Sequence, residues 1–315
     1  MKKLSKKFKI IIISALCLLL CIGAVTAVAV NYHKIFVFCQ KQGLFLSPVE
    51  VVKSQPEGMK KYSLDELSGD GRVSFDQSLM LVNTQYKLPE GFIPDVEEYK
   101  DTTVYMSRCM LDAYAALSAA VMEKAGKKLY VASDLRTAEE QEELYRQDPA
   151  TATKPGASEH QTGLALDVYV AYYAGDGFIK SPSGRFVNSH AHEYGFIMRY
   201  PSYGEEITGI RFEPWHIRYV GFPHAEVIYN NHLTLEEYIE SLEEGAWYEI
   251  DGYLVSRQRE DGESGLYLPE NFESCVISPD NTGCYIITVE KKKYPLKLRF
   301  GGIFYGCVML KSAVF

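Results

Sequence analysis

Two stretches of this 315-residue chain decide its interpretation: Ser158-Glu159-His160-Gln161-Thr162-Gly163-Leu164-Ala165-Leu166-Asp167 and, further along, Glu213-Pro214-Trp215-His216. Together they offer two imidazoles and one carboxylate, from His160, Asp167 and His216, as ligands for a metal ion. A zinc ion with three protein ligands keeps a fourth position open to water, as hydrolysis requires. Glu213 is then a further carboxylate that can take a proton from this water and deliver it to a leaving amine.

The spacing within the first stretch predicts its local geometry. His160 and Asp167 are separated by an odd number of positions, seven, so one straight strand would send their side chains to opposite faces. We therefore expect His160 to lie on a bend before the strand, with Gly163 supplying the flexibility of that bend. Between Leu164 and Val170 the even positions are apolar, which predicts that Asp167 points away from the core.

The composition predicts at least one packed core and excludes several classes of protein. Hydrophobic residues make up 47% of the chain and aromatic residues 13%, more than disordered or fibrous chains contain. The net charge of −8 makes the chain a poor candidate for binding nucleic acid. Its seven cysteines include no C-x-x-C pair, so a structural zinc knuckle has no support. A disulfide between Cys275 and Cys284 and two free buried thiols are both open alternatives.

The N-terminal segment predicts a membrane anchor. Residues 10–30 carry no charge, and in a helix they would span about 30 Å of hydrocarbon. Five lysines precede them without any acidic residue, which places the N-terminus in the cytoplasm and the rest of the chain outside. A cleaved signal peptide is the alternative, with a permissible site at Ala27-Val28-Ala29. The apolar stretch exceeds the usual ~7–15 residues of such a peptide, which favours an uncleaved, single-pass signal anchor.

The remaining chain predicts an α+β domain followed by a small all-β module. Amphipathic spacing indicates a helix over 106–122, and capping boxes begin further helices at Thr137 and Thr234. Short apolar runs at 128–133, 163–170, 195–200 and 210–212 indicate a small antiparallel sheet flanked by helices. The predicted organisation is a cytoplasmic basic tail (1–9), a transmembrane anchor (10–30), a stalk (31–72), a catalytic domain (73–243) and a C-terminal β module of unknown role (245–315). The strands of that last module are expected at 248–256, 265–268, 284–289, 296–300 and 304–310.

The two opening stretches form a recognisable pattern. Ser-x-His-x-x-Gly-x-Ala-x-Asp followed by Glu-x-Trp-His resembles the signature of the zinc-dependent D-alanyl-D-alanine carboxypeptidases of the VanY type. Agreement continues over the nine residues Glu213–Gly221, over Gly195–Pro201 and over Ser133–Thr137 with the following Gln141. The resemblance covers about residues 75–240, and its metal motifs are its specific part.

The resemblance implies a role for each motif residue. His160, Asp167 and His216 would hold one zinc ion, and Glu213 would be the general base. Arg136 would polarise the scissile carbonyl or bind the end of the peptide. The residues implied to contact the terminal residue of the substrate are Gln141 and Ser158.

The chain departs from the family pattern at one place. Asp134-Leu135 stand between Ser133 and Arg136, where the family usually has Gly-Tyr. Any contact made by that tyrosine is lost, which puts substrate preference in doubt more than chemistry. The other charged residues receive weaker interpretations. Two roles are open for Arg199 and Arg218: they are either partners of the metal ligands or members of structural ion pairs. Surface or packing roles are expected for His190, His192, His224 and His232.

These observations predict an anchored extracytoplasmic hydrolase, a metallopeptidase that removes the C-terminal D-alanine from peptidoglycan stem peptides. Its expected partners are the stem peptide and the membrane. An L,D-carboxypeptidase acting on tetrapeptide stems is the alternative within the same class of enzyme. A wall-binding or sensor protein that kept the fold and lost turnover is the alternative outside it, although a pure binder has no need of Glu213 as a base.

Overall fold

The computed structural model describes residues 6–149, 152–260 and 265–291. Its helices are α1 (Lys6–Lys41), α2 (Leu64–Ser68), α3 (Leu111–Ala125), α4 (Ala138–Gln147), α5 (Pro182–His190), α6 (Glu205–Thr208), α7 (His224–Asn230) and α8 (Leu235–Ser241). Its strands in the first two thirds of the chain are β1 (Val52–Ser54), β2 (Met59–Tyr62), β3 (Val73–Phe75), β4 (Val96–Glu98), β5 (Tyr105–Ser107), β6 (Tyr130–Ser133), β7 (Ala165–Tyr169), β8 (Phe196–Met198) and β9 (His216–Tyr219). The remaining strands are β10 (Trp247–Ile250), β11 (Tyr253–Gln258), β12 (Leu266–Pro269), β13 (Ser274–Pro279) and β14 (Tyr285–Glu290).

Helix α1 is a single helix of 36 residues that continues beyond the predicted end of the span at residue 30. Within it, Ser14–Lys41 is long and apolar enough to cross a membrane, with a mean hydropathy of 2.2, although a signal sequence would meet the same criterion. Its last turn contacts the folded body. The Gln40 side-chain amide donates to the Asn188 main-chain oxygen at 2.9 Å, and His232 Nε2 donates to the Gln40 main-chain oxygen at 2.9 Å.

A four-stranded antiparallel sheet in the order β6-β7-β9-β8 forms the centre of the predicted catalytic domain. Helices α3 and α5 cover one face through a shared apolar core. Both predicted capping boxes are present, at Thr137 before α4 and at Thr234 before α8. Gly126 ends α3 in a left-handed conformation with φ of 70°. Because these signals are local, the sequence alone could place them.

One predicted strand of this sheet is wrong. The run 210–212 follows α6 as irregular chain, and its Arg211 side chain points outward to pair with Asp176 at 2.8 Å. The strand lies instead at His216–Tyr219, which pairs with β7 on one side and with β8 on the other. A strand between two partner strands pairs its backbone N–H and C=O groups on both edges. The short apolar run beside Gly209 has no such partners within the described part of the chain.

A second, six-stranded sheet has the order β1-β10-β11-β14-β13-β3. The predicted stalk is therefore not a free connector, because it contributes strands: Val52–Ser54 pairs with Trp247–Ile250, and Met59–Tyr62 pairs with Leu266–Pro269. These strands are three and four residues long and lack a sustained period, so only their distant partners define them. The predicted strands at 296–300 and 304–310 lie outside the described residues.

The two sheets are joined by a continuous apolar core. It combines residues near the first sheet, such as Val220 and Ile228, with Tyr248, Val255 and Ile286 of the second sheet. Cys275 on β13 and Cys284 just before β14 are both buried free thiols, so among the described residues they form no disulfide. The C-terminal strands are therefore not a separate module, because they share a sheet with β1 and β3 and pack directly against the part that carries the metal motifs.

Candidate active site

Three elements bring the predicted metal ligands together. His160 lies on a 3₁₀ turn, Glu159–Thr162, which Gly163 ends in a left-handed conformation with φ of 71°. This is the bend that the sequence predicted. Asp167 lies on β7 and is paired in register with His216, the first residue of β9. One ligand atom from each of the three residues lies within 4.8 Å of the others, so the group could hold a metal ion.

The hydrogen bonds around this group leave its ligand atoms facing one another. The Nδ1 atom of His160 lies 2.8 Å from the main-chain oxygen of Asp134, which can only accept, so Nδ1 carries the proton. That leaves Nε2 free to face Asp167 Oδ2 at 3.5 Å. On the other side, His216 Nδ1 lies 3.1 Å from Asp167 Oδ1, a buried oxygen without a hydrogen-bond partner among the described residues.

The charge state of this group also suits a cation. Burial opposes the charged form of Asp167, but the two adjacent imidazoles outweigh burial and hold the pKa of this carboxyl well below its usual range. Burial lowers the pKa of His160, which favours the neutral imidazole that a metal requires. Burial also opposes the charged form of His216, but the Asp167 and Glu159 carboxylates outweigh burial and raise its pKa to about 9, so a metal would have to displace a proton from this imidazole. Two imidazoles and one carboxylate are the donor set of an open zinc site, so the residue types present fit that ion.

A buried charge cluster lies behind His216. Glu159 is fully buried, and its Oε2 atom lies 3.7 Å from His216 Nε2. Its Oε1 atom accepts from Arg199 at 2.7 Å and from Arg218 at 2.6 Å, and Arg199 also pairs with Glu236. Burial alone would raise the pKa of Glu159, but the two guanidinium groups lower it well below its usual range. From the sequence alone, Arg199 and Arg218 had two open interpretations, and Glu159 had no assigned role.

Glu213 lies at the open side of the ligand group. Its Oε2 atom is 3.8 Å from His216 Nδ1, and its side chain is 22% exposed, so it can reach both a ligand and solvent. Burial raises the pKa of Glu213, and the neighbouring Asp167 adds to this effect against the opposing influence of His216. A carboxylate with a raised pKa is a better proton acceptor near neutral pH than an ordinary glutamate.

Hydrogen bonds hold the loop that carries Glu213. Its main-chain nitrogen donates to the Tyr200 oxygen at 3.0 Å. Asn188 Nδ2 donates to the Pro214 oxygen at 2.8 Å, which connects this loop to helix α5. The position of Glu213 therefore depends on residues that no motif search would single out, because Tyr200 contributes its main-chain oxygen and Asn188 bonds to the main chain of the loop rather than to a motif side chain.

Arg136 reaches the same centre from the end of β6. Its Nη2 atom donates to Ser133 Oγ at 2.7 Å and lies 4.0 Å from Asp167 Oδ2, while Nη1 donates to Gln141 Oε1 at 2.9 Å. Gln141 in turn donates to the Thr153 oxygen at 2.7 Å. Gln141 thus orients Arg136, in addition to the substrate contact that the resemblance implies. Ser158 is buried immediately before the 3₁₀ turn.

The departure at Asp134-Leu135 has a structural explanation. Asp134 accepts from His160 through its main-chain oxygen and from the Tyr105 nitrogen through Oδ2 at 2.6 Å. It therefore supports the predicted metal ligand His160 through its main-chain oxygen, and its side chain joins β5 to the site. The remaining histidines agree with the expected roles, since the only group of potential ligands among the described residues is His160, Asp167 and His216. Packing or surface positions are occupied by His190, His192, His224 and His232.

Comparison with known proteins gives the same family as the motifs. Residues 103–222 match the family model described as VanY: D-alanyl-D-alanine carboxypeptidase. A D-alanyl-D-alanine carboxypeptidase of Enterococcus faecium is 34% identical, over 68% of this chain and 76% of the relative. The bifunctional D-Ala-D-Ala dipeptidase and D-Ala-D-Ala carboxypeptidase VanXYC of Enterococcus gallinarum is 34% identical, over 51% of this chain and 93% of the relative.

A solved structure extends the likeness to the fold. The vancomycin resistance D,D-dipeptidase VanXYg, in complex with a D-Ala-D-Ala phosphinate analogue, is 25% identical, with a TM-score of 0.57. The alignment covers 74% of this chain and 98% of that chain. The fold and the ligand group define a metallopeptidase-like centre, and the chain belongs to the VanY family of D-alanyl-D-alanine carboxypeptidases.

Proposed function

We propose that this protein is a zinc-dependent carboxypeptidase that hydrolyses the C-terminal D-alanine from peptidoglycan stem peptides. One observation carries the proposal: three ligand atoms of His160, Asp167 and His216 converge within 4.8 Å, with the Glu213 carboxylate beside them. A binding protein would have a use for the ligands but none for an adjacent unligated carboxylate with a raised pKa. The D-Ala-D-Ala specificity named for the enterococcal relatives supports the choice of substrate.

The ligand residues would hold one zinc ion, which when bound supplies Lewis acidity to water and to the peptide carbonyl. Glu213 accepts a proton from the attacking water at its carboxylate. It then delivers that proton to the nitrogen of the leaving D-alanine, so the base is regenerated in each turnover. Arg136 offers fixed donors to the C-terminal carboxylate or to the developing oxyanion. Its hydrogen bonds to Ser133 and Gln141 hold the guanidinium in place before substrate arrives.

The N-terminal helix would anchor this enzyme in the cell membrane. The lysines before the apolar stretch favour a cytoplasmic N-terminus, which places the catalytic part, assigned to 73–243, outside. The strands β10, β11 and β14 pack against that part through the common core, and β1 pairs with β10. We assign them a supporting role for the catalytic domain.

The test is an assay of D-alanine release by the full-length protein in detergent, loaded with zinc or treated with a chelator. The substrates are a stem pentapeptide and a stem tetrapeptide. A protein truncated near Asp70 is unsuitable because it lacks β1 and β2. We expect metal-dependent release from the pentapeptide. Release from the tetrapeptide alone would transfer the assignment to an L,D-carboxypeptidase, and release from neither would favour a wall-binding protein.

A further inference from the structure

A strip of tyrosine and lysine side chains lies at the end of β6 and β7 away from Arg136. The Tyr130 and Tyr169 rings stack with centroids 5.3 Å apart and planes 26° apart. Lys128 Nζ lies 5.1 Å from the centre of the Tyr130 ring, and Lys127 Nζ lies 5.4 Å from those of Tyr172 and Tyr173. The aromatic–lysine strip consists of these six residues: Lys127, Lys128, Tyr130, Tyr169, Tyr172 and Tyr173.

The strip shares a sheet face with the ligand group. Asp167 and Tyr169 are two residues apart on β7, and Val168 between them points into the core. Alternation along a strand therefore directs Asp167 and Tyr169 to the same face. Tyr130 is the cross-strand partner of Tyr169, as Ser133 is of Asp167. The strip is thus continuous with the candidate active site rather than a separate surface.

Tyr172 is the member of the strip that is open to solvent on nearly all sides. Its side chain is 96% exposed. Its φ of 73° belongs to the tight turn Val170–Tyr173, in which the Tyr173 nitrogen donates to the Val170 oxygen at 2.9 Å. The turn therefore presents the ring to solvent, where another molecule can contact it.

The position of Arg136 gives a bound peptide its direction. β6 runs from Tyr130 through Ser133 toward Arg136, so Arg136 and the Tyr130–Tyr169 pair lie on opposite sides of Asp167. If Arg136 holds the C-terminal carboxylate, the part of the substrate before the scissile bond extends toward the strip. This step rests on the proposed function.

Distances indicate which part of the substrate reaches the strip. Tyr169 lies about 7 Å along the strand from Asp167, and Tyr172 lies at most about 17 Å away. Four residues of a pentapeptide precede the scissile bond, and extended they span about 13 Å. The far end of the strip, at Tyr172, is therefore where the amino end of the stem and the attached sugar would lie.

We propose that the aromatic–lysine strip binds the saccharide that carries the stem peptide. The faces of hexopyranose rings present aliphatic C–H groups that pack on aromatic rings, and Tyr hydroxyls and Lys ammonium groups supply donors for sugar oxygens. The two lysines lie on the rings and give this end of the site positive charge within a chain of net charge −8. The enzyme would accordingly prefer stem peptides that are still attached to their glycan.

The experiment compares KM for two substrates of the full-length zinc-loaded protein: a free stem pentapeptide and the same peptide attached to its disaccharide. Tyr172→Ala and Tyr169→Ala are the test variants. Tyr172 is so exposed that its removal cannot disturb the core. Tyr267→Ala is the matched control, because Tyr267 is 48% exposed and has Lys61 Nζ 5.4 Å from its ring centre, but it lies on β12 in another sheet.

We expect each strip variant to raise the KM ratio of disaccharide-peptide to free peptide about three- to tenfold, as the loss of one aromatic contact would. The control should leave the ratio unchanged. An equal rise of KM for both substrates would show that the strip binds peptide, and unchanged KM values for both substrates would show that it binds neither part; both results overturn the proposal. Absence of D-alanine release from either substrate by the unaltered protein would instead overturn the proposed function.

Discussion

Glu159 Oε2 and His216 Nε2 lie 3.7 Å apart in a fully buried layer behind the ligand group. The other oxygen of Glu159 binds two guanidinium groups, so the carboxylate cannot turn away from the imidazole without leaving Arg199 or Arg218 unpaired. At this separation the two groups form an ion pair rather than a hydrogen bond, so the carboxylate acts on the imidazole through its charge. Glu159 is therefore a positioning residue for His216, connected to the protein interior by charge.

The substitution Glu159→Gln should destabilise the protein and weaken metal binding. It keeps the side-chain volume but leaves two buried guanidinium groups with too little negative charge, which costs about 3–5 kcal/mol of unfolding free energy. Loss of the partner of His216 should lower zinc affinity about 10–100-fold. Urea unfolding and zinc titration with a competing chelator measure the two effects. Glu142→Gln is the control, since its pair with Arg146 is on the surface; equal effects of both substitutions would contradict this role.

The substitution Glu213→Gln should separate metal binding from turnover. The amide keeps the shape but cannot accept a proton, so the rate of D-alanine release should fall by about 10²–10⁴. Bound zinc should stay near one ion per protein, because Glu213 is not among the three ligands. Metal analysis on the same preparation as the assay tests both statements. Retained turnover would remove Glu213 as the base, and loss of zinc would make it a ligand.

The sequence could predict those parts of the site that local signals encode. The ligand spacing, the bend at Gly163 and the two capping boxes depend on residues within a few positions of each other. Glu159 could not be recognised, because its role arises from Arg199 and Arg218, which approach it only through the folding of three separate elements. For the same reason the strand β1 was missed: three residues form it only because β10 provides a partner.

Two glycine substitutions should separate backbone strain from steric conflict. Gly126 and Gly163 have nearly equal φ values of 70° and 71°. A Cβ atom at Gly126 would meet nothing within 4 Å, so Gly126→Ala should cost about 1 kcal/mol from strain alone. At Gly163 the added atom would lie 2.5 Å from Val96 Cγ1 and 3.2 Å from the Ser107 nitrogen.

We therefore expect Gly163→Ala to cost about 2–4 kcal/mol of unfolding free energy, which includes the strain and the displaced neighbours. Because Gly163 ends the turn that carries His160, zinc affinity should fall as well, whereas Gly126→Ala should leave it unaltered. Thermal unfolding and zinc titration of both variants provide the comparison. Equal unfolding free energies of the two variants would show that β4 and β5 move to accommodate the extra methyl group without loss of stability.

His224 should make stability depend on pH. It is buried between the Tyr238 hydroxyl at 2.6 Å and Thr288 Oγ1 at 2.9 Å, and burial lowers its pKa to about 3. An unfolded histidine has a pKa of about 6.5, so between these values the unfolded chain takes up a proton that the folded protein excludes. Stability is thus fully present above about pH 6.5 and is lost as the pH falls, by about 2 kcal/mol at pH 5.

The variant His224→Gln retains a side chain that can hydrogen-bond but removes this titration. The free energy of unfolding of the unaltered protein should fall more steeply between pH 7 and pH 5 than that of the variant. Other titrating groups are common to both proteins, so the difference between the slopes reports His224. Parallel slopes would show that the imidazole can be protonated inside the fold.

The contact of Gln40 with Asn188 has a consequence for how the enzyme would meet its substrate. With α1 embedded as proposed, the helix continues for about 16 Å beyond residue 30 without a hinge and ends against α5, whose Asn188 also holds the loop of Glu213. A flexible linker would let the catalytic part adopt many heights and orientations above the bilayer. A docked helix instead confines it to one layer of the cell envelope at a set height, so that it samples new substrate by lateral diffusion of its anchor.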